Sequence, residues 1–270
     1  MIYVAPEPVA AHCPVNVTCT TLEAGLIQLR RIAGINGEIA ELRLLSGDYT
    51  SANSGTAGSG RRLQAEHHRR LATLGSSNRV FGGTFSGTQQ PSHLVISGDP
   101  GAILHGSLVD ADSHLFEVDS SFDAELLTFR GLEFRGFAGK RVFKVSGSQP
   151  MVQPPLIEGC TFRNNTAGAI LLTGGNLRIS TSAFHNNGDL DNVTLGGAVK
   201  VEDGSLDVTS STFRGNAASE GGALYASAGN ITIRNSLLTL NRAITGGALA
   251  VTGGDIRLTD QTRVAVDNTA

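Results

Sequence analysis

The sequence predicts an all-β fold, a right-handed parallel β-helix (solenoid) with an N-terminal capping α-helix. Three observations carry this prediction: apolar-x-apolar phrases that recur through the second half, 34 glycines with no tryptophan, and one well-capped helix confined to the first 50 residues. Each phrase has period two and is bounded by Gly, Asn or Ser, the pattern of short strands joined by tight turns. Such strands bury no apolar face alone, but coils stacked about 4.8 Å apart bury it as one column.

The elements follow in chain order. Residues 1–50 form an N-terminal cap and first coil: an Ile2-Tyr3-Val4 strand, a loop bounded by Cys13 and Cys19, a helix, and a strand within 40–49. Thr20-x-x-Glu23 is a capping box, Leu22, Leu26, Leu29 and Ile32 share one face, and Gly34 stops the helix, which would plug the open end of the core. This order of elements resembles the opening of many pectin-lyase-like β-helices. Residues 51–91 break the rhythm with Ser, Gly and Thr runs around an Arg/His cluster at 61–70 and read as an inserted loop. Irregular coils fill 92–155, where the seven-residue interval from Leu127 to Phe134 appears with Phe137 in the place later taken by Asn.

Residues 156–270 are regular. Apolar-x-apolar (Leu177, Leu206, Ile231 and Ile256 leading) is followed seven residues on, in the rungs led by Leu177, Leu206 and Ile231, by Phe-x-x-Asn, at Phe184, Phe213 and, with leucine for the ring, Leu238; an earlier copy begins at Phe162. Gly-Gly-Ala-apolar completes the unit at Gly196, Gly221 and Gly246, with a reduced form at Gly168-Ala169-Ile170. Stacking places like on like, so Phe162, Phe184 and Phe213 should form an internal aromatic column extended by Leu238. The Asn of each phrase suits either a left-handed turn or an amide ladder. The ordered alternation of Gly-Gly-Ala-apolar with Phe-x-x-Asn resembles the repeats of the chlamydial polymorphic outer membrane proteins. The resemblance implies a right-handed β-helix serving as the passenger of a surface-exposed autotransporter adhesin. The repeats are expected to continue past the C-terminus or to leave an open end suited to end-to-end self-association.

Composition excludes several function classes. The net charge is −3 and the basic residues form no continuous stripe, so no nucleic-acid partner is expected, and no run of about 20 apolar residues supports direct membrane insertion. Cys13 and Cys19 suit a disulfide of an oxidising compartment, or remain two loop thiols; Cys160 reads as a small buried thiol. Asn16, Asn164, Asn192 and Asn230 are N-glycosylation sequons. No metal site or cofactor is expected: only His12 lies near the cysteine pair, and the acidic turns Asp110/Asp112 and Asp119/Asp123 lack a full oxygen-ligand set.

Outward positions should form rows. Arg163, His185 and Arg214 each follow a stacked ring; Arg178, Asp207, Thr232 and Arg257 line another face, with Arg178 placed to pair with Asp207; Lys200 and Tyr225 are neighbours on the third. No Asp-Asp pair or Asn-Thr-Asp motif of the β-helix hydrolases occurs, so no catalytic residue is assigned. The expected function is a non-enzymatic extracellular or cell-surface β-helix, an adhesin or structural stalk whose partner is a glycan or protein on a cell surface or matrix. The alternative is a polysaccharide-active lyase or hydrolase that uses carboxylates of the irregular coils.

Overall fold

The computed structural model describes residues 2–4, 18–19, 39–44, 46–49, 93–108, 114–119, 126–147, 153–191 and 194–270. They form a parallel β-solenoid with three stacked faces, joined by a small two-stranded sheet. The first face holds ten strands, from Ile2–Val4 and Thr18–Cys19 through Ile39–Leu44, His93–Gly98, Leu126–Arg130 and Asn176–Ser180 to Asp255–Thr259. The second face runs from Gly47–Tyr49 and Ala102–His105 through Glu133–Arg135, Thr161–Arg163, Ala183–His185, Thr212–Arg214 and Leu237–Thr239 to Arg263–Val264. The third runs from Phe116–Asp119 and Phe143–Ser146 through Val199–Val201 and Leu224–Ala226 to Leu249–Val251. Ala217–Glu220 and Arg242–Thr245 pair beside it as a fourth wall. The helix predicted after Thr20, the Cys13–Cys19 bridge, the 61–70 cluster, Asp110, Asp112, Asp123, Asn16 and Asn192 lie outside the described residues.

Period-two sequence becomes an inside and an outside. Leu177 and Ile179 point inward, stacked on Leu206 and Val208 and then on Ile231 and Ile233, all nearly inaccessible. The phenylalanine column forms as the repeat predicts: Phe162, Phe184 and Phe213 stack at 4.7 Å with interplanar angles of 3° and 4°. It continues backwards to Phe134, 4.9 Å from Phe162 and tilted by 20°. In the irregular coils Phe116, Phe129, Phe134 and Phe143 meet edge-on or tilted instead.

Of the two readings of the phrase's asparagine, the amide ladder holds and the left-handed turn does not. Asn165, Asn187, Asn216 and Asn241 are wholly buried, and each amide nitrogen donates to the next amide oxygen up the stack, at 2.8–3.0 Å and ending on Asn268. The left-handed turn falls one residue earlier, at Gly136, Asn164, Asn186, Gly215 and Leu240. Phe137 has no amide to offer, so its rung joins the ladder through its backbone N–H, 3.0 Å from Asn165 Oδ1.

A second ladder runs two residues before the ring. The backbone N–H groups of Cys160, Ser182 and Ser211 donate to the hydroxyls of Ser182, Ser211 and Ser236 at 3.2, 3.1 and 3.0 Å. Each serine hydroxyl in turn donates to a carbonyl two residues back in its own turn, Ser180, Thr209 or Arg234. Cys160 is the buried thiol at this position, its pKa pushed up to about 12 by burial.

Leu240 departs from its column, since at φ 56° a branched apolar side chain crowds its own backbone, and it is 44 % exposed with nothing to gain there. Leu240→Asn, the residue two other rungs use, is expected to raise stability by about 0.5–1 kcal/mol, read from the midpoint of guanidinium unfolding.

Candidate functional site

The second-face strands Thr161–Arg163, Ala183–His185 and Thr212–Arg214 have three residues each, with the middle one inside and its neighbours outside. The outer position after the ring therefore stacks rung upon rung. Arg163 pairs in register with His185 and His185 with Arg214, as expected. The row also extends toward the N-terminus, because Arg135 is the register partner of Arg163 and His105 that of Arg135. Five consecutive rungs thus present a basic side chain, and the sixth has the buried Thr239 at this position, its hydroxyl bonded to Asp267. Arg135, Arg163 and Arg214 are exposed, and His105 and His185 are half-buried.

Sequence reasoning stopped at Arg163 because the Glu133–Arg135 rung lacks the terminal Asn of the phrase. The signal was present: Arg135 follows Phe134 as Arg163 follows Phe162.

Electrostatics sets this row apart. Two like charges about 5 Å apart repel by about 0.8 kcal/mol even at the dielectric of water, and like charges directly opposite one another destabilise a sheet. His185 responds accordingly: partial burial first, then the Arg163 and Arg214 guanidiniums, hold its pKa below the ordinary 6.5. Acidic groups meet the row at both ends: His105 Nε2 lies 3.5 Å from Asp48 Oδ1 and Arg163 Nη1 3.9 Å from Glu133 Oε1, while Asp267, whose pKa is lowered first by the Thr239 hydroxyl and the Leu240 N–H, also feels the Arg214 guanidinium. His105 Nε2 and Glu133 Oε1 are both buried without a hydrogen-bond partner. The other outward row of this face runs Asp48, Ile103, Glu133, Thr161, Ala183, Thr212, Leu237 and Arg263, small and neutral from Thr161 to Thr212.

Several charges on the other faces are neutralised by a neighbour. On the first face the row Arg178, Asp207, Thr232, Arg257 is in register as expected, but Asp207 pairs with Arg234 rather than Arg178. Arg234 Nη1 reaches both carboxylate oxygens, at 2.7 and 2.9 Å, from the neighbouring rung. Arg130 pairs with Glu158 at 2.7 Å. On the third face Lys200 and Tyr225 are register partners, yet Lys200 Nζ is 2.6 Å from Glu202. Tyr225 is only 7 % exposed, its hydroxyl 2.9 Å from Thr252 Oγ1, which leaves little of the ring for a ligand. Of the sequons, Asn164 is exposed at a left-handed turn and Asn230 is exposed at the start of a strand.

Two buried basic groups lie behind these faces. His114 Nδ1–H donates to the Arg141 carbonyl at 2.7 Å, and burial, aided by Lys144, Lys140 and Arg141, pushes its pKa down to about 4 although that bond opposes the shift. The unfolded histidine takes up a proton that the folded one refuses. Stability is therefore expected to fall as pH drops from 6.5 towards 4, by up to about 3 kcal/mol. Urea midpoints measured from pH 7 to pH 4 should follow this decline, and His114→Gln should flatten it. Arg141 donates from Nη1 to the carbonyls of Ile170 and Ala198 at 3.2 and 3.3 Å and from Nη2 to that of Leu195. Burial lowers its pKa to about 10, opposed by Glu202, so it stays charged at neutral pH.

Residues 114–263 match the family described as the right-handed β-helix region, and the chain belongs to that family. No curated protein and no solved structure matches it. Among the described residues, no group of three His, Cys, Asp or Glu side chains converges as a metal site would require, and no helix is long and apolar enough to cross a membrane.

Proposed function

We propose that this chain is a non-enzymatic β-helix of the cell surface or extracellular space, working as an adhesin or structural stalk in the manner of the polymorphic outer membrane protein repeats. The observation that supports this most is the basic row from His105 to Arg214: a rigid stack holds like charges in register where a purely structural face would alternate them. A solenoid wall suits such work because rung spacing fixes the separation of the displayed groups without any loop to order on binding. The partner is a glycan or protein of a cell surface or matrix.

A second reading has one observation in its favour. Asp48, His105, Glu133 and Arg163 gather at one end of the same row, and a carboxylate beside histidine and arginine is what proton transfer on an acidic sugar requires. A glycan array run beside reducing-end and unsaturated-product assays on polyuronides separates the two. Binding without product is the expected outcome; product formation that Glu133→Gln abolishes would replace the adhesin reading with a lyase or hydrolase.

A further inference from the structure

Resting on the surface-presentation reading, we infer that the outer second face is a binding track for a linear acidic glycan laid along the solenoid axis, its anionic groups meeting Arg135, Arg163, His185 and Arg214 on successive rungs.

Periodicity is the first argument. These residues are direct register partners, so their Cα atoms repeat at the strand spacing of about 4.8 Å. A partner that satisfies four or five of them at once must itself repeat in a line. A folded protein would meet such a row at one or two points.

Charge state is the second. Arg130, Asp207 and Lys200 on the other faces each have an opposite charge within 2.7 Å. Among the described residues Arg135 and Arg214 have no direct ion pair, although Asp267 feels the Arg214 guanidinium, and Arg163 has only Glu133, 3.9 Å away. Guanidinium groups left free in a row match carboxylate or sulfate through paired N–H donors, whose geometry is fixed by the planar fork. Asp48, on the first rung, would repel an anion and so set one end of the track, while Glu133, on the Arg135 rung, lies 3.9 Å from Arg163.

The neighbouring row narrows the partner further. Beside the arginines lie Thr161, Ala183 and Thr212, which offer hydroxyls and a shallow shelf and contain no aromatic ring. Hydroxyls suit the hydroxyl groups of a sugar. Single-stranded nucleic acid is typically held on large aromatic side chains on which successive bases stack, and these rungs carry no Phe, Tyr or Trp in either outward row.

The test uses the full chain at about 50 mM salt, where exposed charges are weakly screened. Titration calorimetry with size-defined heparin fragments and oligogalacturonates distinguishes sulfate from carboxylate as the anion, with neutral dextran and single-stranded DNA as comparators. At least one acidic glycan is expected to bind, and affinity should rise with chain length until about five rungs are spanned. Arg163→Glu and Arg214→Glu should each weaken binding about tenfold, and Arg178→Glu and Arg257→Glu, the same charge change on the first face, less than about twofold. Arg163→Thr, which copies the Thr239 rung, provides a variant free of introduced repulsion and should weaken binding in the same direction.

The inference is overturned if neither acidic glycan binds above dextran, if DNA binds more tightly than both, or if reversals on the two faces weaken binding equally. Product assays on the same samples keep the two readings apart. Turnover would sink the non-enzymatic reading while the track stands, and silence in both binding and turnover would sink the track alone.

Discussion

Alanine in place of Asn216 is expected to cost about 3–5 kcal/mol of stability, among the largest single losses available in this fold. The wild-type side chain makes four bonds. Its nitrogen donates to the Phe184 carbonyl at 3.0 Å and to Asn241 Oδ1 at 2.9 Å, and its oxygen accepts from the backbone and side-chain nitrogens of Asn187, both at 3.0 Å. Neighbours retain some cover after truncation, because Asn187 Nδ2 still reaches the Phe162 carbonyl and Asn241 Oδ1 still accepts the Asn216 N–H. The Phe184 carbonyl and the Asn187 N–H lose the bonds this side chain gave them, in a site that is fully closed to water. An unsatisfied buried group costs about 1–3 kcal/mol, so the two account for most of the loss. Asn216→Asp should be no milder, because a carboxylate cannot donate to the Phe184 carbonyl. Asn268→Ala, at the partly exposed end of the ladder, should cost far less. Guanidinium unfolding of the three variants checks the order; equal losses at Asn216 and Asn268 would contradict a role that depends on burial.

The same ladder shows why part of the structure was legible in sequence. A solenoid repeats one environment many times, so a position with strict chemistry appears as a repeated letter. Phe162, Phe184 and Phe213 were readable for this reason, and so was the register that stacks them. Which asparagine turns and which bonds was harder, because Asn164-Asn165 and Asn186-Asn187 carry the same letter twice. Gly215-Asn216 and Leu240-Asn241 resolve it, since the turn position varies while the bonded position does not. The serine ladder went unread although Ser182, Ser211 and Ser236 recur two residues before each ring or its leucine, because serine near a turn already has an ordinary local explanation.

Ion pairing was less accessible. Register alone put Arg178 beside Asp207, yet the long Arg234 side chain reaches the carboxylate from a diagonal position, and side-chain reach is not a property of register. The basic row was half legible for a related reason. Its later members sit in complete phrases, whereas His105 and Arg135 sit in coils where Phe137 replaces the asparagine and the repeat has no full phrase to announce it. What distinguishes this row from the mixed rows beside it is not any single residue but five basic side chains in unbroken register, flanked by Asp48, Glu133 and Asp267. That contrast emerges only when all three faces are compared.

Gly197→Ala is expected to be at least as damaging as Asn216→Ala, more than about 4 kcal/mol, for a purely steric reason. The column formed by the second glycine of each Gly-Gly-Ala has no room for a Cβ. At Gly197 it would lie 2.3 Å from the Gly222 carbonyl oxygen and 2.5 Å from that of Ala217, on two separate segments of backbone. Neither can retreat cheaply: Gly222 N–H is bonded to the Gly247 carbonyl at 3.0 Å and Ala217 N–H to that of Asn187 at 2.8 Å. Gly159→Ala is the matching control. It has φ of +59° but nothing within 4 Å of the added carbon, so only the left-handed backbone penalty of about 1–2 kcal/mol applies. Thermal unfolding of the pair separates close approach from backbone conformation as the reason for glycine, and similar losses would mean that the wall beside Ala217 yields. Arg141 stands in this column one rung before Gly168, by the register of Phe143 with Ile170. Its guanidinium occupies the space the glycines leave open, 2.3 Å from where a Cβ on Gly168 would sit, and bonds the carbonyls of that wall. The glycine column is therefore closed at one end by a buried cation, and Gly168→Ala should both displace Arg141 from the Ile170 and Ala198 carbonyls and strain its own backbone at φ +88°.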